Sequence, residues 1–273
     1  MTAFTSIDFA DTVLRGMDLR HSGDLAQLNK SVMTASASAP VLEANSLGHP
    51  GFEHLPVGHQ RAASIATVFI DLSDFTGRSF WDDDRDVANL ADSVLSAFVQ
   101  TVLNFGGFPL GLRGDGLFAG FGPGDARIDC MMALTACAFA LDAVETRLNP
   151  RLKNRGVEPV KARAGLDFGS ITFIRSGNDQ HSEVNPVGFA ANFAAKCEKK
   201  AKSWEIVVGQ GLAEVLPDYD FFDQHESSPK SFERNGQRKY YRYYEYRWRN
   251  TLKHIPGTIE ELNGRPSTMI QIN

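Results

Sequence analysis

From Ser64 the chain changes character, and Ile65-Ala66-Thr67-Val68-Phe69-Ile70 forms a β-branched, mostly apolar run. Such a run predicts a strand in a sheet covered on at least one face, ending at Asp71. Further on, Val87, Leu90, Val94, Leu95, Phe98 and Val102 recur at helical spacing, with Asp82-Asp83-Asp84 as N-cap and first-turn charge and Gly106-Gly107 as the stop. Phe108 to Gly111 and Leu117 to Phe121 read as the arms of a hairpin around Gly114-Asp115-Gly116, and Asp129 to Leu148 as a second, strongly apolar helix. Lys161 to Phe168 and Ser170 to Ile174 predict a strand pair broken at Gly169. A third helix follows over Val187 to Lys200, then a short strand over Glu205 to Val208. The Tyr- and Trp-rich stretch Lys239 to Trp248 predicts a last strand with one aromatic face on the core.

The order is β-α-β-β-α-β with additions, an α+β class with a ferredoxin-like core in one contiguous domain. Residues 1 to 60 precede it, with a helix expected around Ile7 to Leu28 and a Ser-, Ala-, Gly- and Pro-rich linker or draped arm from Ser31 to Gly58 to which no chemistry is assigned. The divisions expected are therefore 1–60 for helix and arm, 61–250 for the main domain and 251–273 for a tail.

A composition of 42% hydrophobic and 22% charged residues in 273 residues is that of a globular chain with a sizeable core. The net charge of −5 argues against a nucleic-acid partner, which needs clustered cations. Cys130, Cys137 and Cys197 form no Cys-x-x-Cys pair, so reduced, buried thiols in a cytoplasmic protein are expected. The apolar run Met131 to Leu141 is too short to cross a bilayer, and no secretory leader opens the chain, so no membrane partner is expected.

Two strand ends carry the candidate chemistry. Asp71 and Asp115 lie 44 residues apart, room for one helix and one strand, so adjacent strands would bring both carboxylates to one edge, where they suit divalent cations holding a triphosphate. Each segment alone has an ordinary reading, because Gly-Asp-Gly makes hairpin turns and an Asp after a strand caps helices. Together, the order of strand, Asp71, Phe75-Thr76, helix, Gly-Gly and Gly114-Asp115 resembles the catalytic domain of the class III nucleotidyl cyclases, over roughly Ser64 to Trp248.

That resemblance implies that Asp71 and Asp115 bridge two Mg²⁺ or Mn²⁺ ions, with the carbonyl of Leu72 assisting, and that Phe75 and Thr76 lie against the substrate. Downstream, Asn185-Pro186-Val187-Gly188 and then Asn192 and Lys196 are similar to the family segment in which a base-reading residue precedes Gly by three, followed by Asn and Arg four apart. The resemblance makes Asn192 and Lys196 catalytic, Asn192 orienting the ribose and Lys196 reaching the phosphate. Lys196 stands where most of the family has Arg, keeping the charge without the bidentate fork. Arg234 lies near the place of a basic residue for the terminal phosphates.

Gly111 and Asn185 occupy the two base-reading positions, so the family's purine-reading pair is absent while both metal acids remain. Arg113 offers donors only and prefers a base edge with carbonyl acceptors, as in uracil; the Asn185 amide donates or accepts. The pattern is similar to the bacterial Pycsar pyrimidine cyclases, stand-alone proteins of about this length. It implies conversion of UTP to 3′,5′-cyclic UMP, an antiphage messenger for a separate effector protein. The family's head-to-tail dimers divide each site between subunits, so a homodimer with symmetric interface sites is expected. Rival readings are a cytidylate cyclase, an adenylate cyclase reading its base by other residues, and a catalytically dead nucleotide-binding or dimerisation module.

Overall fold

The apolar run at Ile65 becomes the interior of a long strand, β2 (Gln60–Ser73), at the centre of an eight-stranded sheet. A computed structural model describes residues 4–22, 47–178, 180–217, 220–255 and 270–271. Strand alternation decides what β2 presents: Ala66, Val68, Ile70 and Leu72 are buried in the main core, while Ile65 belongs to a second cluster. Asp71 falls on the odd set. The strand does not stop at Asp71, as the pattern predicted, but runs two residues further, because pairing with β5 (Lys161–Gly177) continues to Ser73↔Lys161.

On its other edge β2 pairs with β4 (Gly116–Phe121), which forms a hairpin with β3 (Phe108–Arg113). The hairpin is longer on both arms than predicted, leaving Gly114 and Asp115 as the turn. Before it, α3 (Asp84–Asn104) starts where the acidic triplet predicts. Asp83 Oδ1 accepts from the amides of Arg85 (3.0 Å) and Asp86 (3.4 Å), a cap worth about 1 kcal/mol. The next helix, α4 (Ala126–Asp142), begins earlier than predicted: Asp125 is its N-cap, whereas Asp129 accepts from the Gly124 amide at 2.9 Å. It continues through a π turn, Ala143–Leu148, into α5 (Asn149–Asn154). With α1 (Ser6–Ser22), whose Phe9 ring lies 5.9 Å from that of Phe98, these helices contribute the main core. The expected extension of α1 to Leu28 lies outside the described residues.

The opposite face is covered by α6 (Phe189–Lys200) and by residues 47–58 of the expected linker. His49 and Phe52 pack on Phe173, and Gly58 N donates to Arg175 O at 2.9 Å, so this stretch is fixed structure. Helix α6 lies unusually close to β5 because of Gly165: a Cβ there would sit 2.0 Å from Glu198 N and 2.4 Å from Ala194 O.

Three predicted boundaries fail. No break occurs at Gly169, because β5 stays paired to β2 through Ile65↔Gly169 and then turns back as a hairpin with β6 (Ser182–Val187). Helix α6 therefore begins at Phe189, not Val187. The aromatic stretch from Lys239 is not one strand: β10 (Gln237–Tyr241) pairs with β9 (Lys230–Arg234) in a separate hairpin, and β11 (Tyr243–Tyr246) joins the main sheet beside β7 (Ile206–Gly209), with Trp248 opening a short helix. All three cysteines are unpaired and buried. Among the described residues no helix is long and apolar enough to cross a membrane.

Candidate active site

Asp71 emerges on the sheet face that carries α6, directly opposite Gly116 on one side and Arg163 on the other. Gly116 leaves space for it, since a Cβ there would lie 3.0 Å from Asp71 Oδ1. Arg163 fixes the other oxygen: Nε and Nη2 donate to Asp71 Oδ2 at 3.2 and 2.8 Å. The same Nη2 sits 2.6 Å from Glu198 Oε1 on α6, without hydrogen-bond alignment, so that buried oxygen is in ion contact but lacks a directed donor. The turn residue Asp115 is tied in through its carbonyl, which accepts from Leu72 N at 3.4 Å.

The charges respond to this crowding. Burial, and then the negative charge of Asp71, hold the Asp115 carboxyl above its ordinary range. Burial also pushes Glu198 up to about 7; Arg163 opposes the shift and Asp71 reinforces it. A carboxyl whose proton affinity is raised beside a second acid belongs to a donor set that a hard cation relieves, and oxygen ligands suit Mg²⁺ or Mn²⁺. The described residues contain no group of three or more His, Cys, Asp or Glu side chains able to hold a metal. Asp71 and Asp115 therefore fit a cation whose remaining ligands come from phosphate, water or backbone oxygen.

The other predicted residues fall elsewhere. Asn192 and Lys196, four residues apart on α6, make one exposed stripe. Glu198, two residues past Lys196, points off that stripe and is buried. Gly111, Arg113 and Asn185 line a single cavity of about 380 Å³, with Phe118, Glu53 and Arg175 among its other walls. Its size is that of a small-molecule pocket. A larger cavity, about 550 Å³, lies between α1 and the start of α3 and contains none of these residues. Phe75 is buried in the main core and Thr76 is exposed beside it, at the start of α2 (Phe75–Trp81). Arg234 is exposed at the end of β9, in the separate hairpin.

Arg163 and Glu198 are additions to the site that sequence reasoning missed. The signal for Arg163 is its register opposite Asp71, a tertiary fact. That for Glu198 is its place off the Asn192–Lys196 stripe, beside Gly165.

No family model matches the chain. Two relatives named cytidylate cyclase, both from Escherichia coli, are 24% identical over 178 residues (62% of this chain, 38% of the relative) and 27% identical over 202 residues (69% and 43%). The chain thus spans about two fifths of the length of these relatives, which overturns the expectation of kin of similar length. Among solved structures, the guanylyl cyclase Cya2 matches with a TM-score of 0.58 at 18% identity, covering 70% of this chain and 94% of that one. The adenylyl cyclase CyaB from P. aeruginosa matches with a TM-score of 0.59 at 19% identity, covering 69% and 95%. The architecture expected from the sequence is the one these domains share.

Proposed function

We propose that this chain, which has the fold of the class III nucleotide cyclase catalytic domain, is a pyrimidine nucleotide cyclase that converts UTP to 3′,5′-cyclic UMP and pyrophosphate. One observation carries the reading: Asp71 and Asp115 converge where β2 meets the β3–β4 turn, close enough for one charge to raise the other's proton affinity. In the reaction the ribose O3′ bonds to the α-phosphorus, the bond from that phosphorus to the β-phosphate bridging oxygen breaks, and the hydroxyl proton is released.

Asp71, Asp115 and the Leu72 carbonyl would hold two divalent cations, which when bound lower the hydroxyl pKa and neutralise phosphate charge. Asn192 orients the ribose. Lys196 sets its ammonium against the α-phosphate, where charge builds in the transition state, and Arg234 meets the terminal phosphates. Thr76 and Phe75 support the substrate side of the acid edge.

None of the contacts of Asp71 or Asp115 among the described residues involves Asn192 or Lys196. This supports a homodimer in which the stripe of one copy completes the acids of the other. Exposed Phe80, Trp81, Val187 and Phe189 supply apolar area for such an interface. The cyclic product is read by a separate effector protein, as an antiphage signal.

Arg113 supports uracil by donating to its carbonyl oxygens from the wall of the shared cavity. A second reading, CTP to cyclic CMP, is favoured by the names of the curated relatives and by the ambivalent Asn185 amide. The test is incubation with each of the four triphosphates and Mn²⁺, with products separated by chromatography. Cyclic UMP is the expected product, cyclic CMP selects the second reading, and cyclic AMP or no cyclic product at all rejects the pyrimidine assignment.

A further inference from the structure

Arg163 has a position that the reaction, as described above, does not use. Its guanidinium makes a two-point contact to Asp71 Oδ2, touches Glu198 Oε1 at 2.6 Å and reaches the Ala201 carbonyl at 3.4 Å through Nη1. One fixed positive charge is therefore divided between Asp71 on the sheet and a second carboxylate on α6. The group is held from both sides. The register places Arg163 opposite Asp71, and Gly165, two residues on, lets α6 approach β5 closely enough to bring Glu198 within reach. Glu198 also faces Asp71 and feels the charge of Lys199, but Arg163 is the cation its buried Oε1 touches, and that oxygen accepts no aligned hydrogen bond.

We infer that Arg163 is a positioning residue and a resident counter-cation: it holds Asp71 ready, and an arriving divalent ion displaces its guanidinium from Asp71 Oδ2 toward Glu198. The inference rests on the proposed cation role of Asp71 and adds a cost and a destination for the displaced charge. A guanidinium and a divalent ion on the same carboxylate oxygen repel each other, so they compete for it. Glu198 makes the exchange reversible, because the guanidinium moves to a partner it already touches and no carboxylate is left buried alone. The position of Glu198 on α6 also joins the cation edge to the helix that carries Asn192 and Lys196.

The experiment is Mn²⁺ titration of the full chain without nucleotide, followed by calorimetry, with a thermal melt of each variant to confirm folding. Arg163→Gln is expected to bind Mn²⁺ about tenfold more tightly than the wild type, because a competing charge is gone. Glu198→Gln is expected to bind it about tenfold more weakly, because the guanidinium then has only Asp71 as a charged partner. A purely structural role for Arg163 predicts unchanged or weaker binding in Arg163→Gln, and that result overturns the inference, as does unchanged binding in Glu198→Gln.

If Arg163→Gln does not fold, the wild type decides through the NMR signal of Arg163 Nε–H. The signal is expected to shift and exchange faster with water on addition of Mg²⁺, and a stationary signal overturns the inference. Asp71→Ala separates the two readings. Loss of Mn²⁺ binding there, with the Arg163→Gln effect intact but no cyclic product from the wild type with any triphosphate, rejects the cyclase reading alone. Mn²⁺ binding that ignores Asp71→Ala rejects the inference.

Discussion

The acid edge and the helix stripe are built in opposite ways. At the acid edge the groups are tied to one another: Asp71 is gripped by Arg163, Arg163 touches Glu198, and the Asp115 backbone is bonded to Leu72. On the stripe, Asn192 and Lys196 stand exposed on α6. The first region is preorganised inside one chain, with its carboxylates held together against their repulsion. The second offers an amide and an ammonium to something outside it. On the proposed reading these are the two halves of a site, each completed by its counterpart in a second copy.

The difference is broken most severely at the acids. Asp71→Ala and Asp115→Ala are each expected to lower turnover at least about 1,000-fold, or about 4 kcal/mol in the barrier, with little change in melting temperature. Retained activity in Asp115→Ala removes the cation assignment. Lys196→Ala is expected to lower kcat about 100-fold while KM changes little, since the charge acts mainly in the transition state, and Lys196→Arg to restore most of it. Steady-state kinetics on the preferred triphosphate read both.

Packing beneath the acid edge gives the next effect. In Gly165→Ala the new methyl would overlap the α6 backbone at Glu198 and Ala194. A loss of about 2–3 kcal/mol in urea unfolding is expected, together with reduced turnover, because Glu198 retreats from Arg163. Unchanged stability would mean that α6 does not lie as described.

The smallest effect is one of pH. Asp167 is fully buried and accepts hydrogen bonds from Tyr241 Oη (3.0 Å) and Leu212 N (3.2 Å), yet burial pushes its carboxyl up to about 7. An acid whose folded pKa is raised holds a proton that the unfolded chain releases, so its contribution to stability is largest at low pH. It is lost as pH rises toward 7 and is constant above that. The melting temperature is expected to fall by about 3–5 °C between pH 5.5 and 7.5, and Asp167→Asn to flatten most of that slope, Glu198 supplying the remainder. A slope unchanged in Asp167→Asn assigns the effect elsewhere.

Much of the acid edge was legible because its signals are local. The β-branched run that ends near Asp71 and the turn chemistry of Gly114-Asp115 are each written in a few adjacent residues, and sheet pairing needed only to join them. That Asn192 and Lys196 share one face was legible from i, i+4 spacing, while their choice as candidates came from the family resemblance. What escaped depends on distant neighbours: Arg163 matters through its register across from Asp71, and Glu198 through a glycine 33 residues away in sequence. The strand β6 hid because Pro186 and a polar run mask its pairing with β5. Residues 47–58 read as linker by composition, yet three rings and a few backbone bonds fix them to the sheet.

The measurement that bears most directly on the two-copy site is complementation. Asp71→Ala and Lys196→Ala, each inactive or nearly so, are mixed and allowed to reassort. Half of the resulting dimers carry one intact site of two, so recovery of about a quarter of wild-type turnover is predicted. No recovery, from variants shown to exchange subunits, contradicts the claim that acids and stripe from different copies form one site.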